Sequence, residues 1–496
     1  MTDKFMIGGL DVGTTGCKIS LFDGEATLQK TYYKEYNVSR VGGKHEIDFS
    51  LIRDGVLALL CEAVKEYKIA ALGVTSFGET FAMLDENDNI LAPSMLYTDP
   101  RGREECDAIT DAIGKERLTL LTGAMPHPMY SIPKIAWWKN NAPEVFARCK
   151  RILLGEDFIV YTLTGEAMID YSLAARTAAF DIENKIWAEE VFAAAGVDSA
   201  LMSKPVPTGT LAGSLRAELK ESLGIDYDIK VVCAAHDQVA AMIGAGVFST
   251  DQAMDGTGTV ECIPVVLEKK PLDLDFYGGG YSVVPFIDNK LACYALSFTG
   301  GATLKWFRDN FAGNFEGKGN IYAELDASVS DKPTGILVLP HFAGAANPYM
   351  DNGSKAAFVG LTLEHTASDM YKALMEGVTY EMKTNLEHLE AFGIHPNKIY
   401  ATGGGATSKV WMQIKADILG RPISSLCAKE VGACGTCMLV GVGIGLYKDL
   451  DEAKAVFVKE KQTCTPNAEN AETYAKYFKA YRNIYSAVRP IIEEAK

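Results

Sequence analysis

Two stretches of this 496-residue chain, half its length apart, share one local plan. Gly9–Asp23 reads GLDVGTTGCKISLFD and Ala253–Val266 reads AMDGTGTVECIPVV. Each has a short β-type run, an acidic residue, a Gly-Thr turn and a second alternating or β-branched run, the pattern of a tight hairpin. A hairpin repeated after about 240 residues points to two homologous domains rather than a short-period solenoid. Around the hairpins, strand and helix patterns alternate. Ile69–Thr75 and Ile229–Ala234 read as buried strands, and Ser50–Glu66 and Asp369–Glu390 as amphipathic helices. This alternation predicts α/β layers. The boundary falls near Gly246–Asp251, giving an N-terminal domain 1–247 and a C-terminal domain 248–496. From Glu469 to Ile492, Tyr474, Tyr477, Phe478, Tyr481, Ile484, Tyr485 and Val488 recur at helical spacing, which predicts one helix docked on the core.

With 48% hydrophobic residues the chain can bury an ordinary core, which excludes global disorder. Its 48 Lys and Arg against 64 Asp and Glu leave a formal charge of −16, which argues against nucleic acid or an anionic membrane as partner. A phosphate ligand would then need local positive potential from backbone N–H groups, a few cations or a metal. The first residues carry mixed charges and no secretory apolar region. The longest uncharged run, Val431–Tyr447, is short for a membrane span and holds five glycines, so it reads as a buried, closely packed helix. Eleven scattered cysteines suit reduced thiols in a cytoplasm, and the Cys434/Cys437 pair reads as packing.

Asp11-Val12-Gly13-Thr14-Thr15-Gly16 ends a β-run and turns at once. Glycine lets backbone N–H groups approach an anion, and two hydroxyls add donors. An aspartate among phosphate-binding groups would repel the ligand unless a divalent cation stood between them. Asp11 therefore reads as a Mg²⁺ partner, through water. The competing reading is a hairpin turn that merely requires Gly and Thr. Asp255-Gly256-Thr257-Gly258-Thr259 is expected to repeat this chemistry, so that the two turns hold a polyphosphate between domains.

Asp237 follows a buried strand and opens a helix of small residues. It can serve as an N-terminal cap or, at a strand-to-helix crossover, as a base toward a substrate hydroxyl. Both readings stay open at this point. Thr402-Gly403-Gly404-Gly405-Ala406 is a Gly-rich strand-to-helix turn that admits a flat or phosphorylated ligand, without the spacing of a Walker loop or a dinucleotide fingerprint. Gly278–Gly280 and Gly300–Gly301 are weaker turns. Ser76-Phe77-Gly78-Glu79-Thr80 and Tyr97-Thr98-Asp99-Pro100-Arg101 offer carboxylates for hydroxyl groups and an aromatic for a C–H face, as a polyol requires. No histidine spacing supports a zinc site.

These motifs resemble the FGGY carbohydrate kinases, most closely their xylulose-kinase-like branch. The resemblance runs from Gly9 to about Tyr485 and is strongest in GLDVGTTGCK, HDQVAAMIGAG, GTGTVE, ATGGGATSKVWMQIKADILGRPI and GACGTCMLVGVGIGLY. MYSIPKIAWWKNN (129–141) and the segment 356–376 look like the two family signatures, departing at Trp138 and Leu374. The resemblance implies an actin-like, ribonuclease-H-like α/β fold whose two domains close a central cleft on ATP and sugar. It implies Asp237 as catalytic base and Asp11 as the metal-associated aspartate. Thr14, Thr15, Lys18, Gly256, Thr257, Gly300, Gly403, Gly404 and Gly405 are then expected on the nucleotide, and Phe77, Gly78, Glu79, Asp99 and Arg101 on the sugar. Xylulose kinases typically show Met-His-Gly where this chain has Phe77-Gly78-Glu79, and glycerol kinases show Arg-Glu there. Glu79 matches the latter, while Gly78 lacks the arginine.

The expected activity is ATP- and Mg²⁺-dependent phosphorylation of a sugar hydroxyl, with D-xylulose to its 5-phosphate as the favoured case. Another polyol, a silent sugar- or nucleotide-binding regulator, and a chaperone-like or filament-forming ATPase are the alternatives. The expected partners are ATP and a small sugar, with a homodimer allowed, in a cytoplasmic protein.

Overall fold

The computed structural model describes residues 5–313 and 320–495; residues 1–4, on which part of the leader reading rests, lie outside it. Each half of the chain is built on one mixed sheet. In the first half the strands are β1 (Met6–Val12), β2 (Gly16–Phe22), β3 (Leu28–Glu35), β4 (Ile69–Ser76), β5 (Thr210–Ser214) and β6 (Lys230–His236), in the order β5-β6-β4-β1-β2-β3. β1, β2 and β3 form an antiparallel meander, whereas β4 joins β1, and β6 joins β4, in parallel. Helix α1 (Phe49–Glu66), capped by the Asp48 carboxylate on the Ser50 N–H, supplies the crossover from β3 to β4.

The second half repeats the plan. Its strands are β7 (Gln252–Thr257), β8 (Glu261–Leu267), β9 (Val283–Pro285), β10 (Leu291–Ser297), β11 (Lys398–Gly403), β12 (Ile423–Leu426) and β13 (Glu460–Cys464), in the order β9-β10-β8-β7-β11-β12-β13. Again three antiparallel neighbours, β7, β8 and β10, are followed by β11 and β12 in parallel. Antiparallel hairpins followed by parallel crossovers in both halves are the topology of the two-domain actin-like fold, as expected.

The helices that position the site are α2 (Asp237–Gly244), α3 (Gly301–Phe311), α4 (Ala367–Ala391), α5 (Lys409–Leu419), α6 (Val431–Gly443) and α7 (Ala468–Tyr481). The uncharged run does form a buried helix, α6, and it lies against α2 and the N-terminal sheet although it belongs to the second half. Only glycine permits that approach. A Cβ on Gly435 would lie 1.9 Å from the Ala240 carbonyl oxygen, and one on Gly244 1.8 Å from that of Val431. On the sheet side, Gly73 leaves room for the Thr436 and Val440 side chains. Among the described residues no helix is long and apolar enough to cross a membrane.

The C-terminal stripe departs from expectation. It forms two helices, Ala468–Tyr481 and Ile484–Glu494, separated at Arg482–Asn483. Tyr474, Phe478, Tyr481 and Ile484 are buried, whereas Val488 is half-buried and Ile491 is 65% exposed. Buried Glu376 and Glu381 accept the Tyr474 and Tyr481 hydroxyls, so the two buried tyrosines of the first helix dock with their polar tips satisfied.

Candidate active site

The parallel strands β1, β4 and β6 end side by side, and the chain leaves each of them at a predicted functional segment. Val12 pairs with Ser76, and Ser76 with His236, so Gly13, Phe77 and Asp237 emerge together. Open α/β sheets hold ligands at such carboxyl ends. Asp237 is the first residue of α2, but it does not cap that helix: His236 occupies the cap position. Its side chain is 37% exposed, while Oδ1 is sealed from solvent and has no hydrogen-bond partner. Burial pushes this carboxyl up to about 7, and the charge of Asp11 pushes the same way. The Gln238 N–H, and the Arg176 guanidinium acting against Glu79, moderate the shift. His236 Nε2 stands 3.2 Å from Asp237 Oδ1, and burial keeps the imidazole neutral, well below its usual range. A carboxylate that ionises near neutrality is suited to accept a hydroxyl proton.

Beside Asp237 lies a residue the sequence analysis missed. Arg176 donates from Nε to Glu79 Oε1 at 2.7 Å and from Nη2 to the same oxygen, while Nη1 donates to Ser282 Oγ at 3.1 Å. Both charged side chains are buried, and Glu79 holds a left-handed φ of 66°. The stem of Arg176 packs over Gly78, where a Cβ would meet Arg176 Cγ at 3.2 Å and His236 Nε2 at 3.3 Å. Position 78 has no arginine, but an arginine reaches the neighbouring Glu79 from 97 residues further along the chain. Because Ser282 belongs to the second half, the pair also bridges the two domains.

The other predicted sugar residues are arranged less directly. Phe77 turns its ring into the core at 6% exposure. The Asp99 carboxylate accepts from Arg101 Nε at 2.8 Å, Arg101 Nη2 at 2.7 Å and the His45 N–H at 2.8 Å. Arg101 also bonds Glu46 at 2.6 Å and lies over the Trp137 ring. These contacts hold Asp99 ionised, below its ordinary range, despite burial. Asp99 and Arg101 therefore brace the loop behind Tyr97, whose ring is 44% exposed. Tyr294 of β10 brings its ring within 6.1 Å of the His236 ring, and its buried hydroxyl has no partner.

On the phosphate side, the first hairpin closes as predicted, with the Gly13 N–H on the Gly16 carbonyl at 2.9 Å. Thr14 and Thr15 occupy its tip, pinned by Tyr36 through Gly13 and Thr15 carbonyls. Lys18 pairs with Glu430 at 2.5 Å and lies 3.6 Å from Asp11, so it ties the first hairpin to the start of α6. Burial raises the Asp11 carboxyl despite Lys18. Asp11 adds its negative charge to the field at Asp237 while keeping Lys18 as its own nearest cation, a setting into which a divalent cation held by Asp11 and phosphate oxygens would fit. Among the described residues no cluster of three or more His, Cys, Asp or Glu could bind a metal without such help.

The second hairpin corrects one expectation. Its ladder ends at Thr257↔Glu261 where the first ends at Val12↔Cys17, so Gly256 and not Asp255 corresponds to Asp11. Asp255 consequently faces the other side of its sheet, buried, and cannot repeat the metal chemistry. Thr257, Gly404 and Gly405 do converge, on a cavity of about 790 Å³ that α3 and α5 enclose with Gly301, Trp306 and Trp411. Gly403, at φ 76°, and Gly405 let the turn lie on Thr257: a Cβ on Gly403 would sit 2.4 Å from the Thr257 carbonyl oxygen. Gly300 precedes α3 and donates its N–H to the Thr259 carbonyl at 2.9 Å, bracing the same hairpin.

Comparison with known proteins agrees with this architecture. Residues 6–244 match the N-terminal domain, and residues 257–444 the C-terminal domain, of the FGGY family of carbohydrate kinases. A xylulose kinase of Lactococcus lactis is 27% identical over 492 residues, covering 96% of both chains. A gluconokinase of Bacillus subtilis is 26% identical over 504 residues, covering 96% of this chain and 94% of its own. The crystal structure of a ligand-bound xylulose kinase from Lactobacillus acidophilus superposes with a TM-score of 0.91 at 24% identity, covering 99% of this chain and all of that one. Two matched domains in sequence and a repeated sheet in structure lead to one assignment: the chain belongs to the FGGY family of carbohydrate kinases, phosphotransferases that act on an alcohol group of a sugar.

Proposed function

We propose that this kinase transfers the γ-phosphoryl group of ATP to the primary hydroxyl of a neutral sugar, a ketopentose such as D-xylulose being the first candidate. The observation that carries the reading is Asp237, a carboxylate with an unpartnered oxygen at the strand ends, titrating near neutrality. It accepts the hydroxyl proton as the sugar oxygen bonds to phosphorus and ADP departs. Thr14, Thr15 and Thr257 donate to the phosphates, and Gly403, Gly404 and Gly405 border the adenosine. Asp11 would hold Mg²⁺, which neutralises phosphate charge. The remaining contribution is positioning.

Charge supports a neutral acceptor over an aldonate such as gluconate. Arg176 is neutralised by Glu79, and Arg101 serves two carboxylates, Asp99 and Glu46. With Asp237 and Asp11 close by, a carboxylate on the substrate would meet repulsion. The test is Mg²⁺-dependent ADP release with ketopentoses, ketohexoses, glycerol, tetritols and gluconate. Stimulation by a neutral ketopentose with one phosphosugar per ADP is expected. Stimulation by gluconate alone would overturn the charge argument, and ATP binding with no stimulation by any acceptor would favour a silent binding protein.

A further inference from the structure

Behind the second hairpin lies a buried ionic cluster that the reaction as described does not use. Lys415 Nζ, on α5, is 2.6 Å from Asp255 Oδ2, 2.7 Å from Glu261 Oε1 and 2.6 Å from Thr257 Oγ1. All four residues are buried to about 1% exposure or less. Two carboxylates compete for one ammonium, and both Glu261 oxygens and Asp255 Oδ2 lack a well-aligned hydrogen bond. A packing role alone would be met at lower cost by apolar side chains of similar size. What distinguishes the cluster is its contact: Thr257 borders the cavity, whereas Lys415 does not.

The direction of the hydrogen bonds gives the cluster a use. An ammonium can only donate, so Lys415 occupies a lone pair of the Thr257 hydroxyl and leaves its proton to be given elsewhere. Within the protein the acceptor for that proton is Asp255 Oδ1 at 3.4 Å, a long contact. We infer that Lys415 is a positioning residue for the nucleotide's phosphates, fixing Thr257 from behind so that its hydroxyl donates into the cavity. The inference rests on the ATP reading above. A hydroxyl donor held in this way suits an acidic chain whose nearby cations are engaged: Lys18 is taken by Glu430, and Lys305, at the cavity wall, pairs with Asp309 at 3.1 Å.

The test is calorimetric binding of ATP and adenosine to the full chain, wild type and Lys415→Met. Methionine keeps an unbranched side chain of similar length and removes the ammonium, whose Nζ lies 5.0 Å from the centre of the Trp411 ring. The charge-dependent hydrogen bond predicts that ATP binding weakens about tenfold or more, with adenosine changed less than about twofold. Thr257→Val should reproduce this selective loss, and the double variant should bind ATP no worse than the weaker single variant. Equal weakening of ATP and adenosine would mean that Lys415 only holds α5 in place, and unchanged ATP binding would be equally fatal. Should Lys415→Met fail to fold, Glu261→Gln decides: freed from one competitor, the ammonium should leave ATP binding equal or tighter, and a weakened ATP with unchanged adenosine overturns the inference. A wild-type chain that binds neither compound would instead remove the nucleotide reading itself.

Discussion

Replacing Gly435 by alanine tests the packing that joins the two halves behind the active site. In an open helix this change stabilises by up to about 1 kcal/mol, because alanine is the better helix former. Here the new Cβ would lie 1.9 Å from the Ala240 carbonyl oxygen and 2.6 Å from the Gly244 nitrogen, both backbone atoms that no rotamer change can move. Relief requires α2 and α6 to separate by more than about 1 Å, an overpacking that costs roughly 1–3 kcal/mol. For domains of this size the thermal midpoint should fall by roughly 3–10 °C. Asp237 opens α2, so the same displacement moves the proposed base, and a shift of this size is expected to lower kcat by about 10–100-fold. Gly432→Ala is the control: it lies in the same helix, with nothing within 4 Å of a new Cβ, and should be neutral or slightly stabilising. Scanning calorimetry and steady-state kinetics on both variants suffice. If Gly435→Ala behaves like Gly432→Ala, the close approach of the two helices is refuted.

Three further outcomes are expected. Asp237→Asn should keep ATP binding and lose roughly 10²–10⁴-fold in turnover, and the wild-type rise of kcat/KM with pH through about 7 should be absent from its residual activity. Arg176→Met leaves Glu79 buried without its cation beside Asp237, so the acid limb of that profile should move to higher pH and stability should fall by about 3–5 kcal/mol in denaturant titration. Asp157, buried with Oδ2 on Ser203 and no partner for Oδ1, is pushed up to about 8 by burial. Between its ordinary 3.8 and that value the folded protein holds a proton that the unfolded chain has released, so stability declines as pH rises. Asp157→Asn removes the loss, and its thermal midpoint should exceed wild type above pH 8 while the difference shrinks toward pH 4.

Sequence alone determined whatever depends on neighbours along the chain. Each hairpin is a property of adjacent residues, so β1–β2 and β7–β8 were legible from Gly-Thr turns between β-type runs. The placement of Asp11, Asp237 and Gly403–Gly405 at strand ends was legible for the same reason, because each turn is encoded locally. The C-terminal stripe shows the limit of periodicity, which continued through Arg482–Asn483 although the helix did not. The tertiary structure decided everything set by partners distant in sequence. Strand register alone puts Asp255 on the buried side of its sheet while Asp11 faces the site, although both precede a Gly-Thr turn. Arg176 reaches Glu79 across 97 residues, Lys415 reaches Thr257 across 158, and Lys18 reaches Glu430 across 412. No local pattern marks such a pairing, because a buried charge is tolerated only where the fold delivers its counter-charge, and that delivery is a property of how the sheets and helices pack.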